Sequence, residues 1–255
     1  MTAVWAHRGV TGPAVENTIE AFSCARRLGA HAVELDVRRS AEGHLVVHHD
    51  PVVEGLGPVV ELPLRRLPPY VPTLAQALTA CRGLSVNVEI KNFRWEPGYE
   101  ADHAIARDTV RVIDEAGHDG KVVVSSFCDR TIDAVRACAP HVPVGWLLGP
   151  LAANGSVIPE AANRGYQAVH PYFVGVDRGT VRTARDLGLS IHVWTARGAA
   201  DFCQMAALGV DAVITDEVAV VMEVVRRSRW GPEEVAVAPS GPRPEHPEWR
   251  EDASS

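Results

Sequence analysis

The sequence predicts an α/β protein folded as a single (β/α)₈ barrel, a TIM barrel. Three observations predict it. Short apolar runs alternate with helical patterns along most of the 255 residues, the mark of parallel strands joined by helical crossovers. Four of those runs follow directly on a glycine, in Gly29-Ala-His-Ala-Val33, Gly165-Tyr-Gln-Ala-Val169, Gly188-Leu-Ser-Ile-His192 and Gly209-Val-Asp-Ala-Val213, and a glycine past a helix end supplies its left-handed cap. Eight such units in about 225 residues suit a closed barrel better than an open sheet. The alternative, an open doubly wound sheet, is weakened because no GxGxxG follows the first strand.

The elements follow in order. The first strand is Val4–Ala6. Next comes a helix over Asn17–Leu28, with Asn17 as its cap, Glu20 at the capping-box position and an apolar face of Ile19, Phe22, Ala25 and Leu28. The next strands are Ala32–Val37 and Leu45–His49. The segment Pro51–Pro72 holds six prolines, so it reads as a short excursion after the second barrel strand rather than a regular helix. The remaining strands are Val86–Lys91, Val122–Ser125, Val144–Leu148, Ala168–His170, Ile191–Thr195 and Ala212–Thr215. A helix over Ala101–Ala116 carries Ala101, Ala104, Ile105 and Val112 on one stripe. Residues 228–255 hold five prolines and six acidic residues with few aliphatics, which reads as a disordered tail. The expected division is a barrel over 1–227 and a tail over 228–255.

Composition narrows the function. The chain is 46% hydrophobic and 22% charged, an ordinary globular balance. Its net charge of −7 argues against gripping a nucleic-acid backbone, which calls for a basic excess. No apolar stretch approaches the length of an integral membrane segment. Residues 1–9 lack a charged region followed by an apolar one, and the five cysteines form no CxxC. A reducing, cytoplasmic setting is the expectation. The oligomeric state is left open.

The chemistry is read from where polar residues fall within the strands. Strand side chains alternate faces. Glu34 and Asp36 therefore point one way and Val33, Leu35 and Val37 the other, so the carboxylates face into the barrel. Glu89 and Lys91 share a face by the same rule, as do His192 and Trp194, and His7 follows Trp5 inward. Three converging carboxylates repel one another unless paired. A hard divalent cation, Mg²⁺ or Ca²⁺, resolves this better than Zn²⁺, which prefers nitrogen and sulfur ligands. The alternative is a buried salt-bridge network with Lys91 and Arg8. His7, followed by Arg8-Gly9, and His49, before Asp50-Pro51, stand at strand ends, where catalytic groups of barrels lie. Alternation sends His48 away from the face that His49 takes.

Ala6-His-Arg-Gly9, Glu16-Asn-Thr18, Gly29-Ala30, Glu34-Leu-Asp-Val37, Val46-Val-His-His-Asp50, Val88-Glu-Ile-Lys91, Ser125-Ser-Phe127, Val193-Trp-Thr195 and Gly209-Val-Asp-Ala-Val-Ile-Thr-Asp216 occur in this order. Each fragment alone is weak. The ordered set, spanning residues 4 to about 226, resembles the glycerophosphodiester phosphodiesterase family. The resemblance implies hydrolysis of a small-molecule glycerophosphodiester to sn-glycerol 3-phosphate and an alcohol. It implies that His7 and His49 are the acid–base pair, that Glu34, Asp36 and Glu89 bind the metal, and that Arg8 and Lys91 contact the phosphate. It places Trp194 against the glycerol and Glu16 at the site's edge. The chain departs from the family where an Arg-Thr-Thr element usually follows His49-Asp50, where Arg197 replaces a usual asparagine, and where a proline is missing after Thr215-Asp216. A phospholipase D-like action on lysophospholipids and a barrel that binds diesters without turnover are the competing readings.

Overall fold

The computed structural model describes residues 1–228 apart from Pro13, Leu151 and 153–156. The expected tail lies outside the described residues except for Ser228, which ends the last helix.

Eight parallel strands close into a barrel. They are β1 (Ala3–Ala6), β2 (Ala32–Arg39), β6 (Ser85–Ile90), β7 (Val122–Ser126), β8 (Val144–Leu148), β9 (Ala168–Pro171), β10 (Ser190–Ala196) and β11 (Ala212–Thr215), with β1 paired to both β2 and β11. The shorter strands β3 (Leu45–Val47), β4 (Val52–Val53) and β5 (Gly57–Pro58) belong to the segment after β2. The helices are α1 (Ile19–Leu28), α2 (Leu74–Ala80), α3 (Ala104–Ala116), α4 (Asp129–Cys138), α5 (Ile158–Asn163), α6 (Arg178–Asp186), α7 (Ala199–Leu208) and α8 (Val218–Ser228). The four glycines expected to stop helices all take positive φ, from 71° at Gly165 to 86° at Gly209, the conformation that lets the chain turn back into a strand.

The alternation read from the sequence sets the layers. Val33, Leu35 and Val37 are fully buried in the large cluster that also holds Phe22, Leu74 and Ile105 from the surrounding helices. The opposite faces of the strands fill the barrel. Its floor is the small cluster of Trp5, Ala32, Ala212 and Ile214. Register places Asp36 beside Glu89 and Glu34 beside Asn87, so charged residues of adjacent strands meet at one level above that floor.

Three local expectations are corrected. The run Leu45–His49 is not a barrel strand: β3 ends at Val47 and pairs antiparallel with β2 through Val37–Val47, and His48 and His49 sit in the turn beyond it. The cap of α1 is Thr18, whose side chain accepts from the Ala21 N–H, not Asn17. Asn17 has φ 57° and its amide is used elsewhere. Helix α3 begins at Ala104 and buries Ile105, Ala106, Thr109, Val110 and Ile113, so its inner stripe is rotated from the one the sequence suggested. The proline-rich excursion has its own small core of Val46, Val53, Val59, Leu62 and Leu67, built on the β4–β5 hairpin and two single 3₁₀ turns.

Candidate active site

Glu34 and Asp36 come from β2 and Glu89 from β6, and all three are buried. One carboxylate oxygen from each lies within 4.8 Å of the others. The salt-bridge alternative is partly present: Lys91 Nζ stands 3.0 Å from Glu89 and 3.4 Å from Asp36, and Arg8 Nε is 3.3 Å from Asp36. It does not balance the site. Burial works against the charge of Asp36, but Lys91, Arg8, His49 and the Asn17 amide outweigh it and hold its pKa far below the ordinary range. Burial raises the pKa of Glu34 well above that range, the charges of Asp36 and Glu89 add to the rise, and Arg8 only partly offsets it. The buried Oε1 of Glu34 has no hydrogen-bond partner. An orphaned oxygen within an all-carboxylate donor set fits a hard divalent cation, and Glu34, Asp36 and Glu89 are the residues that can hold one.

The turn after β1 shapes the next group. Gly9 has φ 86°, and a Cβ there would lie 2.6 Å from that of Ala21, so only glycine lets the turn pack on α1. Arg8, at φ 55°, donates its backbone N–H to Glu34 at 3.0 Å. Its guanidinium donates to both oxygens of Glu16, at 3.2 and 3.1 Å. Burial disfavours the Arg8 charge, but Asp36, Glu16 and Glu34 outweigh burial and raise its pKa. Glu16, read from sequence only as a site-edge residue, thus holds the Arg8 side chain.

Each histidine at the mouth has a carboxylate on Nδ1. His7 Nδ1 is 2.6 Å from Asp216 Oδ1, and its Nε2 is 4.0 Å from Glu34. His49 Nδ1 is 2.8 Å from Asp50 Oδ1. His48 turns its Nδ1 to the Asp50 carbonyl at 2.8 Å and lines a hollow beside Val15, Val52 and Tyr70 that His49 also borders. Of the two, only His49 also reaches the main cavity; both stand beyond the end of β3, so the strand alternation expected to separate them does not apply.

These groups open on one cavity of about 240 Å³. His7, Arg8, Glu34, His49, Glu89, Lys91 and Trp194 line it. Of the other predicted residues, Asp36 lies beneath the cavity wall, 1% exposed, and Glu16 lines the neighbouring hollow. The far wall is aromatic: Phe93, Trp95 and Phe127 join Trp194, with the Phe127 and Trp194 rings 5.4 Å apart. Trp194 is fixed by its indole N–H, which donates to the His170 carbonyl at 2.6 Å.

The model of the glycerophosphoryl diester phosphodiesterase family matches residues 7–220. The chain belongs to this family. It is an enzyme acting on glycerophosphodiesters. A glycerophosphodiester phosphodiesterase of Caldanaerobacter subterraneus is 30% identical over 89% of this chain and 98% of its own. Among solved structures, a putative glycerophosphoryl diester phosphodiesterase from Silicibacter pomeroyi superposes with TM-score 0.80 at 23% identity, covering 90% of this chain and 94% of that one. A phosphodiesterase of Oleispira antarctica, solved in complex with the product sn-glycerol-3-phosphate, gives TM-score 0.80 at 21% identity over 89% of this chain and 97% of that one. At these identities the two structures share the fold.

Sequence reasoning missed the aromatic residues Phe93, Trp95 and Phe127 of the cavity wall and, among the polar groups of this phosphodiesterase's site, Asn17 and Asp216. Asn17 clasps Asp36, its amide donating to Oδ2 at 2.7 Å and its Oδ1 accepting from the Asp36 backbone N–H at 3.2 Å. Asp216 reaches His7 across the barrel seam. Both fall inside the quoted fragments, Glu16-Asn-Thr18 and Thr215-Asp216, and that was the available signal.

Proposed function

We propose that this phosphodiesterase hydrolyses glycerophosphodiesters to sn-glycerol 3-phosphate and an alcohol, with a divalent cation held by Glu34, Asp36 and Glu89 and with His7 and His49 as its acid–base pair. One observation carries the reading: the orphaned, buried oxygen of Glu34 belongs to a cluster of three carboxylates, two of which, Glu34 and Glu89, line the same cavity as both histidines. The product named in the Oleispira antarctica structure agrees with it.

Held by these carboxylates, Mg²⁺ or Ca²⁺, the cations suited to oxygen ligands alone, would supply positive charge against the phosphate. The chain's own residues do the rest. Arg8 and Lys91 keep their charges while buried and line the cavity, where they would offset the negative charge that grows on the phosphate oxygens toward the transition state. One histidine takes the proton from the attacking hydroxyl, either water or the glycerol 2-hydroxyl. The other gives a proton to the departing alcohol. Carboxylates at Nδ1 of both rings fix their orientation and leave Nε2 as the nitrogen for transfer. Trp194 packs against the glycerol, and the aromatic wall excludes water from that side. The five cysteines are all free thiols, in keeping with a reducing, cytoplasmic setting.

Metal-stripped protein tests the reading. Incubated with a panel of glycerophosphodiesters, it should release no sn-glycerol 3-phosphate until Mg²⁺ or Ca²⁺ is returned. Full turnover without metal contradicts the carboxylate assignment. Release of glycerol in place of its phosphate contradicts the reaction.

A further inference from the structure

Strand β2 carries two consecutive arginines, and alternation sends them to opposite faces. Arg38 follows Glu34 and Asp36 toward the interior, its side chain 6% exposed. Arg39 points outward. Both grip the segment between β6 and α3, at different points. Arg39 pairs with Glu100 at 2.5 Å and with Asp108 at 2.8 Å, outside the cavity. Arg38 donates from Nη1 to Glu96 Oε2 at 2.8 Å and from Nε to the His49 carbonyl at 2.7 Å. Glu96 and His49 both line the cavity, and Glu96 closes the turn that carries the aromatic wall, its N–H bonding the Phe93 carbonyl at 3.1 Å.

We infer that Arg38 is a positioning residue that ties the His49 turn to the Phe93–Glu96 wall and so sets the acid–base ring against the bound diester. Two comparisons support this role. Asp50, which meets the His49 ring at Nδ1, has a side chain that is 67% exposed, and an exposed contact orders a ring poorly because water competes for it. The Arg38 contact is sheltered and charge-assisted, the stronger kind. The guanidinium is also a rigid fork. Its two arms reach two different loops, so a shift of one loop is felt by the other. A lysine, with a single ammonium, cannot reproduce that geometry.

The inference rests on His49 acting in catalysis, and a double-mutant cycle on kcat separates the two claims. His49→Ala should lose about 10²–10⁴-fold. If instead it leaves kcat intact, the acid–base reading fails and the inference with it. Given that loss, Arg38→Gln alone should lower kcat roughly 10–100-fold, the usual cost of an outer partner of a catalytic group, with KM changed by a few-fold at most. The variant combining both substitutions should be no slower than His49→Ala alone, because a group acting through His49 has nothing left to position. Arg39→Gln should keep kcat within a few-fold. Losses that multiply in the combined variant, or an Arg38→Gln kcat equal to the parent's, overturn the inference. If Arg38→Gln does not fold, Arg38→Lys enters the same cycle and is read by the same criterion.

Discussion

Two pairs of histidines occupy one barrel and meet opposite fates. In the floor, His170 and His192 bond to each other, Nε2 to Nδ1, at 2.9 Å. His170 is fully buried and His192 is 8% exposed. Trp5 lies 4.4 Å from the His192 ring, and a Cβ on Gly145 would fall 2.3 Å from His170 Nε2, so the floor has no room for substrate. Burial drives the His170 pKa far down and that of His192 to about 4, which keeps both rings neutral near pH 7. At the mouth, His7 and His49 are 19% and 11% exposed along their side chains and each faces a carboxylate. The residue type is the same. Height along the barrel sets the two environments apart, because only the mouth combines a neighbouring carboxylate with open space.

The contrast can be broken at the mouth first. Glu89→Gln removes an anionic ligand while keeping its volume. It should weaken divalent-cation binding, read by calorimetry, by at least the roughly 10–100-fold that loss of a mere outer-shell partner costs, and turnover should fall with it. Unchanged cation affinity would show that the carboxylates are a structural network only. Asp216→Asn keeps the contact to His7 but replaces an acceptor-only carboxylate with an amide that can also donate, so the ring's tautomer is no longer fixed. It should lower kcat by at least the roughly 10–100-fold that loss of an outer partner costs. A kcat equal to the parent's would leave His7 unsupported by its partner.

Much of this was legible. Glu34, Asp36, Glu89 and Lys91 were placed by pleating alone, because strand alternation is local and leaves little choice once the apolar face is buried. Asp216 was not assignable that way: its contact with His7 joins residues 209 apart, and only closure of the barrel makes them neighbours. Asn17 was misread as a helix cap because asparagine favours that role. The structure gives the cap to Thr18 and uses the asparagine's tolerance for positive φ to aim its amide at Asp36. The strand drawn through His49 overran because β-branched residues continue to Val47, where the ladder to β2 stops.

The floor yields a smaller effect, on stability rather than turnover. The unfolded chain protonates His192 near its ordinary pKa of 6.5, whereas the fold resists until about 4. The unfolded state therefore binds more protons in that window, and stability drops as pH falls from 6.5 toward 4. In His192→Gln the melting temperature should be lower at pH 7 but should decline less steeply over the same range. An equal slope in parent and variant would mean that the floor pair does not titrate as its burial demands.

The most direct measurement of the central claim, that the mouth histidines do the chemistry, uses the neighbours His48 and His49. Both are half-buried in the same turn, and of the two only His49 lines the cavity. With folding checked by circular dichroism, His49→Ala should lose about 10²–10⁴-fold in kcat, while His48→Ala stays within a few-fold of the parent. A severe loss in His48→Ala beside a mild one in His49→Ala would contradict the account.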